Sequence, residues 1–416
     1  MAKKKLLLIV GAGASVEFGI PSVSEVGGII DSKAQETHPL STVRDSNLYA
    51  YITEAIERYW TTAVPKPLFR KPHFEDVLYA IFALAAAYPA GVHTSTLGAL
   101  IRVQPLPDIL QLGRTLKHVG RNELGFLADV AVDAIAQTFR DRCRASEKDK
   151  TAEFATLNEF MSALRDEFDV AVVTLNYDNV MYRAFPGIET GFDLATGKFD
   201  QQRIFDRRYW PCMLHLHGSV HFDMPTVSGA DMHEIYWQPN LAATFAQNAH
   251  GRSSRANPEG AEFPTSVLVA GYGKTTQILR QPFRTYYSEL DRLVSQCDAA
   301  LFAGYGFGDT HLNIAFELFR DIRRRSAVIL GYAPNGTMTL GGADLDNPVA
   351  TAAVHILHTD LRSMRWLGHS HPDLIDDLRA AEEFEISNDP ATPLSVWYNG
   401  MLAACRHPDK FIRELR

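Results

Sequence analysis

Continuous runs of apolar residues recur along the chain and predict strands that are buried on both faces. The first run covers residues 6–10 (LLLIV), and later runs lie at 169–175, 267–270, 299–303, 327–330 and 354–357. Such runs are typical of a parallel sheet that helices cover on both sides. Helical patterns separate several of the runs, as a doubly wound fold requires. The pattern therefore predicts an α/β fold with a Rossmann-like parallel sheet as its core.

A helical periodicity fills the long interval between the first two runs. Apolar residues repeat at helical spacing within 74–82, 127–135 and 154–164, as in helices packed on a core. We expect a large helical insertion at 31–164 and a short helical C-terminal tail at 361–416. The segments 1–30 and 165–360 then form the predicted core. Residues 240–263 are polar with several turn formers, which predicts a mobile loop.

Composition and charge narrow the class of protein. The net charge of −8 argues against general binding of nucleic acid through phosphate neutralisation. The four cysteines are scattered without a CxxC pair, so we expect no structural zinc and a reducing, cytoplasmic setting. The apolar run at 6–10 is too short for a signal peptide, and no segment is long and apolar enough to span a bilayer.

Two glycine-rich segments each follow a predicted strand. The first is GAGAS at 11–15, which FGIPS follows at 18–22; the second is GYGFGD at 304–309. Glycines there let the backbone approach a pyrophosphate, and a following helix N-terminus supplies N–H groups. A bare GxG is also common in tight strand–helix turns. Two such turns that face one crevice suit a dinucleotide better than a mononucleotide.

Polar residues follow two further apolar segments. In TLNYD (174–178), Asn176 and Asp178 lie at a strand end, where they can reach a ligand or cap a helix. In LHLHGS (214–219), we expect His215 and His217 on one face of a strand, which raises the possibility of a metal site. No nearby cysteine or acidic cluster completes such a site. The Gly-Ser after His217 indicates an exposed turn, which suits a catalytic imidazole.

Together and in this order, these four motifs resemble the sirtuin-like NAD-binding domain, in particular the branch found in bacterial anti-phage defence proteins. The resemblance covers residues 5–30 and about 165–335. It implies that Asn176 holds a water near the nicotinamide ribose, that Asp178 seats the nicotinamide end, and that His217 is the catalytic histidine. It implies further NAD+ contacts from Gly11, Ala12, Gly13, Ser15, Phe18, Pro21, Thr174, Gly304, Gly306, Phe307 and Asp309. Among these, Gly304, Gly306 and Asp309 correspond to the adenosine half.

One departure from the family bears on the reaction. Protein-deacylating sirtuins carry a zinc module with paired cysteines, and this chain lacks such pairs. The resemblance then implies an NAD+ glycohydrolase that uses water as acceptor and depletes NAD in anti-phage defence. The alternatives are an NAD-dependent protein deacylase or ADP-ribosyltransferase, a non-catalytic sensor of NAD or ADP-ribose, and a scaffold protein. A nuclease is a further alternative, although no carboxylate cluster shows convincing metal-binding spacing.

An enzyme that destroys NAD must be restrained in a healthy cell. The predicted core, insertion and tail account for nearly all of the sequence, which leaves no segment for a sensor domain of about 50 residues. We therefore expect control by assembly, either as a homo-oligomer or with another subunit. Short members of the resembled branch are encoded beside a HerA-type ring ATPase, so the resemblance implies such an ATPase as partner. The insertion and the tail are the expected contact surfaces.

Overall fold

The chain forms one large sheet flanked by helices. A computed structural model describes residues 2–62, 72–88, 100, 104–111, 113–205, 210–225, 234–245, 266–270, 277–317, 325–333, 356–359, 361–362 and 372–416. The strands are β1 (Lys4–Val10), β2 (Ile109–Gln111), β3 (Arg114–Leu116), β4 (Phe168–Thr174), β5 (Met213–His215), β6 (Phe222–Asp223), β7 (Tyr236–Trp237), β8 (Ala299–Ala303), β9 (Ser326–Leu330), β10 (Glu385–Ile386) and β11 (Leu394–Trp397). The helices are α1 (Val23–Thr37), α2 (Leu48–Thr62), α3 (Phe74–Ala87), α4 (Arg121–Asp149), α5 (Thr151–Glu167), α6 (Val180–Ala184), α7 (Gln202–Phe205), α8 (Phe283–Gln296), α9 (Thr310–Glu317), α10 (Pro372–Ala381), α11 (Met401–Cys405) and α12 (Pro408–Leu415).

The strand order places a topological switch point at the centre of the sheet. Within the described residues, the order is β10-β11-β9-β8-β1-β4-β5. All neighbours are parallel except β10, which runs antiparallel to β11. From β1 the chain moves outward through β4 and β5, and it later continues through β8, β9 and β11 on the other side. In open sheets of this kind, ligands bind where the order reverses, beyond the carboxyl ends of the strands. That place lies between β1 and β8.

The buried apolar runs form the strands that the sequence predicts at 6–10, 169–175, 299–303 and 327–330, which confirms the α/β fold. In β1 the apolar residues are fully buried because β4 and β8 flank the strand and helices cover both faces. The strand predicted at 267–270 is wrong: Leu268 makes an isolated bridge with Gly218, and the other residues of this segment are not in a strand. Of the run at 354–357, residues 354 and 355 lie outside the described residues, and 356 and 357 are not in a strand.

Helices dominate the predicted insertion. The apolar stripes at 74–82, 127–135 and 154–164 lie within α3, α4 and α5, as their spacing predicts. The long helix α4 packs against α1, α3 and α5. The same segment of the chain also contains the short antiparallel hairpin β2–β3. Among the helices of the described ranges, none is long and apolar enough to cross a membrane. The loop predicted at 240–263 lies outside the described residues beyond residue 245.

The segment predicted as a helical tail also contains two strands of the main sheet. Besides α10, α11 and α12, it holds β10 and β11, and β11 pairs in parallel with β9. The four residues of β11 are all buried, and a run this short gives little periodic signal. The Glu17 carboxylate accepts hydrogen bonds from the backbone N–H groups of Met401 (2.6 Å) and Leu402 (3.0 Å), which ties the first glycine segment to α11. The boundary at residue 360 stays a prediction, and the sheet continues beyond it.

Candidate active site

The two glycine turns meet at the switch point. The N–H of Gly11 donates to the carbonyl of Ala303 (2.9 Å), and the N–H of Gly13 donates to the carbonyl of Gly304 (3.0 Å). A Cβ on Gly304 would lie 2.0 Å from the Ala14 nitrogen, and its φ of +59° favours glycine as well. A Cβ on Gly11 would lie 2.6 Å from the Gly304 oxygen. These glycines are therefore required for the backbone-to-backbone contact that joins the two turns.

The segment after β1 differs locally from the expected strand–helix turn. Two short 3₁₀ turns, Ala12–Ala14 and Val16–Phe18, separate Gly11 from α1. The N-terminus of α1 carries its own capping box, in which the N–H of Ser22 donates to Glu25 (2.7 Å). The backbone N–H groups nearest the crevice therefore belong to the 3₁₀ turns. The expectation that a helix begins directly behind the glycines is wrong.

Two glycines of the second turn, Gly306 and Gly308, are not required by packing against the described residues. Among the described residues, no atom lies within 4 Å of the Cβ that would stand on Gly306, and its φ is not in the left-handed region. Phe307 has a φ of +53° and is buried against Phe302 and Tyr305. The side chain of Phe307 thus anchors the turn, and Gly306 borders open space.

The Asn176 side chain is fixed by its neighbours. Its Nδ2 donates to the carbonyl of Gly11 (2.9 Å) and to the Ser15 hydroxyl (3.0 Å). Its backbone N–H donates to Thr174 Oγ1 (3.1 Å), at the last residue of β4. No residue in the described part of the chain donates to Asn176 Oδ1. The amide therefore links the TLNYD motif to the first glycine turn and keeps one acceptor oxygen available.

Asp178 is connected to the Asn176 amide through the Ser15 hydroxyl. Its Oδ1 accepts from the N–H of Val180 (2.9 Å), the first residue of α6, although the N-cap position of this helix is Asn179. Burial raises its pKa to about 6, although hydrogen bonds from Val180 and from the Ser15 hydroxyl favour the charged form. Gly11, Ser15, Asn176 and Asp178 thus form one connected polar network.

His217 lies in a turn and contacts a carboxylate. The strand β5 ends at His215, so the expectation that both histidines lie on one face of a strand is wrong. Gly218 has a φ of +109°, and a Cβ there would lie 2.3 Å from the Val267 oxygen, so this turn requires glycine. His217 Nε2 lies 2.8 Å from Asp309 Oδ2, and the two side chains are only 8% and 6% exposed. The turn therefore carries His217 away from β5 and onto the second glycine segment.

His215 lies in an aromatic cluster that we define by Tyr182, His215, His221, Phe222 and Trp237. Neither ring nitrogen of His215 has a hydrogen-bond partner among the described residues, and burial lowers its pKa to about 3. His221 stacks on Trp237 at 4.6 Å and contacts the carbonyl of Gln238 through Nδ1 (2.9 Å); burial lowers its pKa to about 4. Both imidazoles are therefore neutral near pH 7. Within the described part of the chain, no group of three or more His, Cys, Asp or Glu could hold a metal ion.

The remaining predicted contacts lie at the edges of the network. Phe18 is fully buried, with its ring 5.1 Å from that of Phe154, and Pro21 is buried just before α1. Ala12 belongs to the first 3₁₀ turn. The structure thus gathers the signature segments at one edge of the sheet, and each proposed contact with NAD+ stays a prediction.

Sequence reasoning missed the part that α4 plays at this edge. The Ser146 hydroxyl donates to the carbonyl of Phe18 (2.6 Å), and the Phe139 ring packs edge-on against Tyr177 of the TLNYD motif (5.5 Å). Phe139, Cys143 and Ser146 share one buried stripe of α4. A serine in such a stripe was the available signal, because a buried hydroxyl needs a hydrogen-bond partner.

Comparison with known proteins finds a SIR2-like domain in one part of the chain. Residues 170–336 match a family model described as a SIR2-like domain, a span that includes Asn176, His217 and Asp309 but not the first glycine turn. None of the curated proteins matches the chain. Among solved structures, the chain is similar to a Sir2 homologue–NAD complex, at 13% identity over 91% of each chain with a TM-score of 0.31. It is also similar to a mutant Sir2 homologue with 2'-O-acetyl ADP ribose, at 13% identity over 91% of this chain and 93% of that chain with a TM-score of 0.34.

Proposed function

We propose that the chain is an NAD+ glycohydrolase, which cleaves NAD+ to nicotinamide and ADP-ribose with water as the acceptor. The observation that carries the proposal is the juxtaposition at the switch point: two interlocked glycine turns, the fixed Asn176 amide and the His217–Asp309 pair. Open α/β sheets bind nucleotides at this place. The SIR2-like match over 170–336 supports NAD+ as the ligand.

The two turns divide the dinucleotide between them in this proposal. The pyrophosphate lies against the first turn, where it accepts from the backbone N–H of Ala12, because the N–H groups of Gly11 and Gly13 are donated to Ala303 and Gly304 and hold the turn in place. The second turn receives the adenosine half, and the open space beside Gly306 supports a close approach there.

Cleavage of the nicotinamide–ribose bond passes through an oxocarbenium-like transition state, as in glycoside hydrolysis. The bond electrons leave with the nicotinamide ring nitrogen, which is cationic in NAD+ and needs no acid. Asn176 Oδ1 accepts a hydrogen bond from the attacking water, since both protons of its amide are already donated to Gly11 and Ser15. His217 takes the proton from the water as general base and releases it to solvent. Such positioned bases contribute about 10²–10⁴-fold.

Asp178 supports the nicotinamide end of the site. Its carboxyl is buried, and the Ser15 hydroxyl connects it to the Asn176 amide. With a pKa raised to about 6 by burial, it is ionised at pH 7 but close to its titration range. We propose that this carboxyl holds Ser15 and Asn176 in register and orients the nicotinamide carboxamide.

The choice of water over an acyl-lysine peptide rests on the cysteines. Cys143, Cys212, Cys297 and Cys405 are all buried, and none forms a disulfide. Their spacing offers no paired knuckle like that of the protein-deacylating sirtuins. The proposal therefore includes NAD+ as the substrate and no zinc.

The proposed biological role is depletion of NAD during anti-phage defence in the cytoplasm, with activity controlled by assembly. The support is the resemblance of the four motifs to that branch of proteins. We propose a homo-oligomer and a HerA-type ring ATPase as partner, with contacts through the insertion and the C-terminal segment. Light scattering of the chain alone and after co-expression with that ATPase tests both assemblies. A chain that is strictly monomeric and does not bind the ATPase would contradict them.

The enzymatic proposal is tested by incubating the purified chain with NAD+, alone, with the ring ATPase, and with acylated peptides. Nicotinamide is followed by chromatography. We expect release without any peptide, in at least one of the first two arms. Release that requires an acylated peptide would indicate a deacylase instead. No release in any arm would indicate a binding protein without turnover.

A further inference from the structure

We propose that Asp309 is a positioning residue for His217, which fixes the imidazole so that Nδ1 is its basic nitrogen. This inference rests on the proposed NAD+ cleavage and assigns Asp309 a part in it other than the adenosine contact implied by the motif. It starts from the distance of 2.8 Å between Asp309 Oδ2 and His217 Nε2. The two residues are 92 positions apart, so only the fold brings them together.

The two oxygens of the Asp309 carboxylate have separate partners. Oδ1 accepts from the backbone N–H groups of His311 (3.0 Å) and Leu312 (3.1 Å), at the first turn of α9. This is the usual bond of a helix N-cap, which holds the carboxylate in one orientation. Oδ2 is thereby directed at His217. Because α9 fixes the carboxylate, the carboxylate in turn fixes the imidazole.

The backbone of Asp309 is held equally firmly. The Tyr305 hydroxyl contacts the Asp309 carbonyl (3.2 Å) and Asn313 Oδ1 (2.7 Å). Asn313 Nδ2 donates to the carbonyl of Phe307 (2.8 Å), and its backbone N–H donates to that of Asp309 (2.9 Å). The polar residues of the segment GYGFGDTHLN therefore hold Asp309 in place. Tyr305 and Asn313 accompany the glycines of the second turn because their hydrogen bonds hold its backbone.

The contact selects one tautomer of the imidazole. An ionised carboxylate only accepts hydrogen bonds, so Nε2 must carry the proton that it donates to Asp309. The lone pair then resides on Nδ1, which takes the proton of the attacking water. The resulting imidazolium lies beside the Asp309 carboxylate, and burial of both groups strengthens that attraction. Asp309 itself neither gains nor loses a proton in this step.

The kinetic test uses Asp309→Ser, because serine also caps helices but its short hydroxyl cannot span the distance to His217. We expect kcat for NAD+ to fall about 10²-fold, at the lower end of general-base effects, with KM close to wild type. The control Ile314→Ala changes an exposed position of α9, and both constants should match the wild type. If Asp309 instead held the adenosine half, KM and the Kd for ADP-ribose would rise while kcat stayed unchanged, which overturns the inference.

A spectroscopic test separates this inference from the proposed reaction. The ¹⁵N signals of the His217 ring are identified in a histidine-labelled sample by their loss in His217→Ala. We expect an Nε2-protonated neutral ring in the wild-type chain and a change of tautomer or a mixture in Asp309→Ser. An Nδ1-protonated ring in the wild type, or an unchanged spectrum in Asp309→Ser, contradicts the inference. This measurement does not need turnover, so it stands even if NAD+ is not cleaved.

Discussion

His215 and His217 are two residues apart in the sequence and lie in opposite environments. His217 is paired with a carboxylate that a helix N-terminus fixes, at the edge of the sheet where the glycine turns meet. His215 ends β5 inside the aromatic cluster, where no hydrogen-bond partner from the described part of the chain reaches its ring. The HxH spacing suits a metal pair, a catalytic base or a core residue equally well. The partner that the fold supplies, and not the spacing, separates these functions.

The two histidines differ in whether their surroundings stabilise a positive charge on the imidazole ring. Desolvation without compensation penalises the imidazolium, so His215 stays neutral and cannot exchange protons near pH 7. The carboxylate of Asp309 offers His217 a counter-charge at 2.8 Å. This separation arises because β5 ends at His215 and a turn begins at Leu216, and the left-handed backbone of Gly218 continues that turn beyond His217. A shift of two residues thus converts a core imidazole into a candidate base.

The largest effect is expected from truncating the histidine that has a charged partner. His217→Ala should reduce NAD+ turnover by about 10²–10⁴-fold, because it removes the general base. The matched substitution His215→Leu should leave turnover near the wild-type level, because its ring is not part of the polar network. Initial rates of nicotinamide release measure both, with melting curves to verify folding. Equal losses in the two variants would show that the comparison is wrong.

A substitution of Asn176 tests the polar network of Gly11, Ser15, Asn176 and Asp178, which is expected to act together with His217 in catalysis. Asn176→Ala should lower turnover at least about 10²-fold, because the attacking water loses its orientation. It should also lower the free energy of unfolding by about 1–3 kcal/mol, since Gly11 and Ser15 lose their donor. Asn179→Ala is the control, because its amide donates to Glu147 outside the network. Near wild-type turnover of Asn176→Ala would remove Asn176 from the mechanism.

The dependence of folding stability on pH tests the second half of the comparison, namely that burial holds His215 neutral. Burial depresses the pKa of His215 to about 3 and that of His221 to about 4, below the ordinary 6.5. The unfolded chain therefore binds protons first, so this stability is complete above about pH 6.5 and is lost as the pH falls. Each histidine contributes a slope of about 1.4 kcal/mol per pH unit. Asp178 has the opposite effect, because its pKa is raised to about 6 in the folded chain. Between about pH 6 and 4 it adds stability as the pH falls, which offsets the slope of one histidine.

His215→Leu removes one of these two slopes. Its melting temperature, relative to the wild type, should rise progressively as the pH falls from 6.5 to 4.5. Calorimetric scans at several pH values measure the difference, and His221→Gln gives an independent comparison. A constant offset between His215→Leu and the wild type over this range would show that His215 is not held neutral by burial.

The smallest effect is expected from metal removal. If His215 and His217 together held a catalytic metal ion, a chelator would abolish turnover. If the two histidines have separate roles, a chelator should have no effect. We expect turnover to be unchanged after treatment with a chelator, and elemental analysis to find no stoichiometric zinc. Stoichiometric zinc that is lost together with activity would restore the metal interpretation and the deacylase alternative.

The sequence predicts local features of this fold better than the contacts between them. The apolar runs identify β1, β4, β8 and β9 because burial on both faces leaves a continuous signal. The glycine motifs mark the turns that meet at the switch point. The partner of His217 cannot be read from spacing, because 92 positions separate it from Asp309. The strand β11 was missed for a different reason: four residues are too few to show a period.

Product balance measures the central proposal most directly. The chain is incubated with NAD+ and no other acceptor, under the assembly condition that gives turnover, and NAD+, nicotinamide and ADP-ribose are quantified together. We predict that each molecule of NAD+ consumed yields one nicotinamide and one free ADP-ribose, and that His217→Ala yields neither. Nicotinamide without an equal amount of free ADP-ribose would reveal transfer to another acceptor, and undiminished products from His217→Ala would contradict the proposed site.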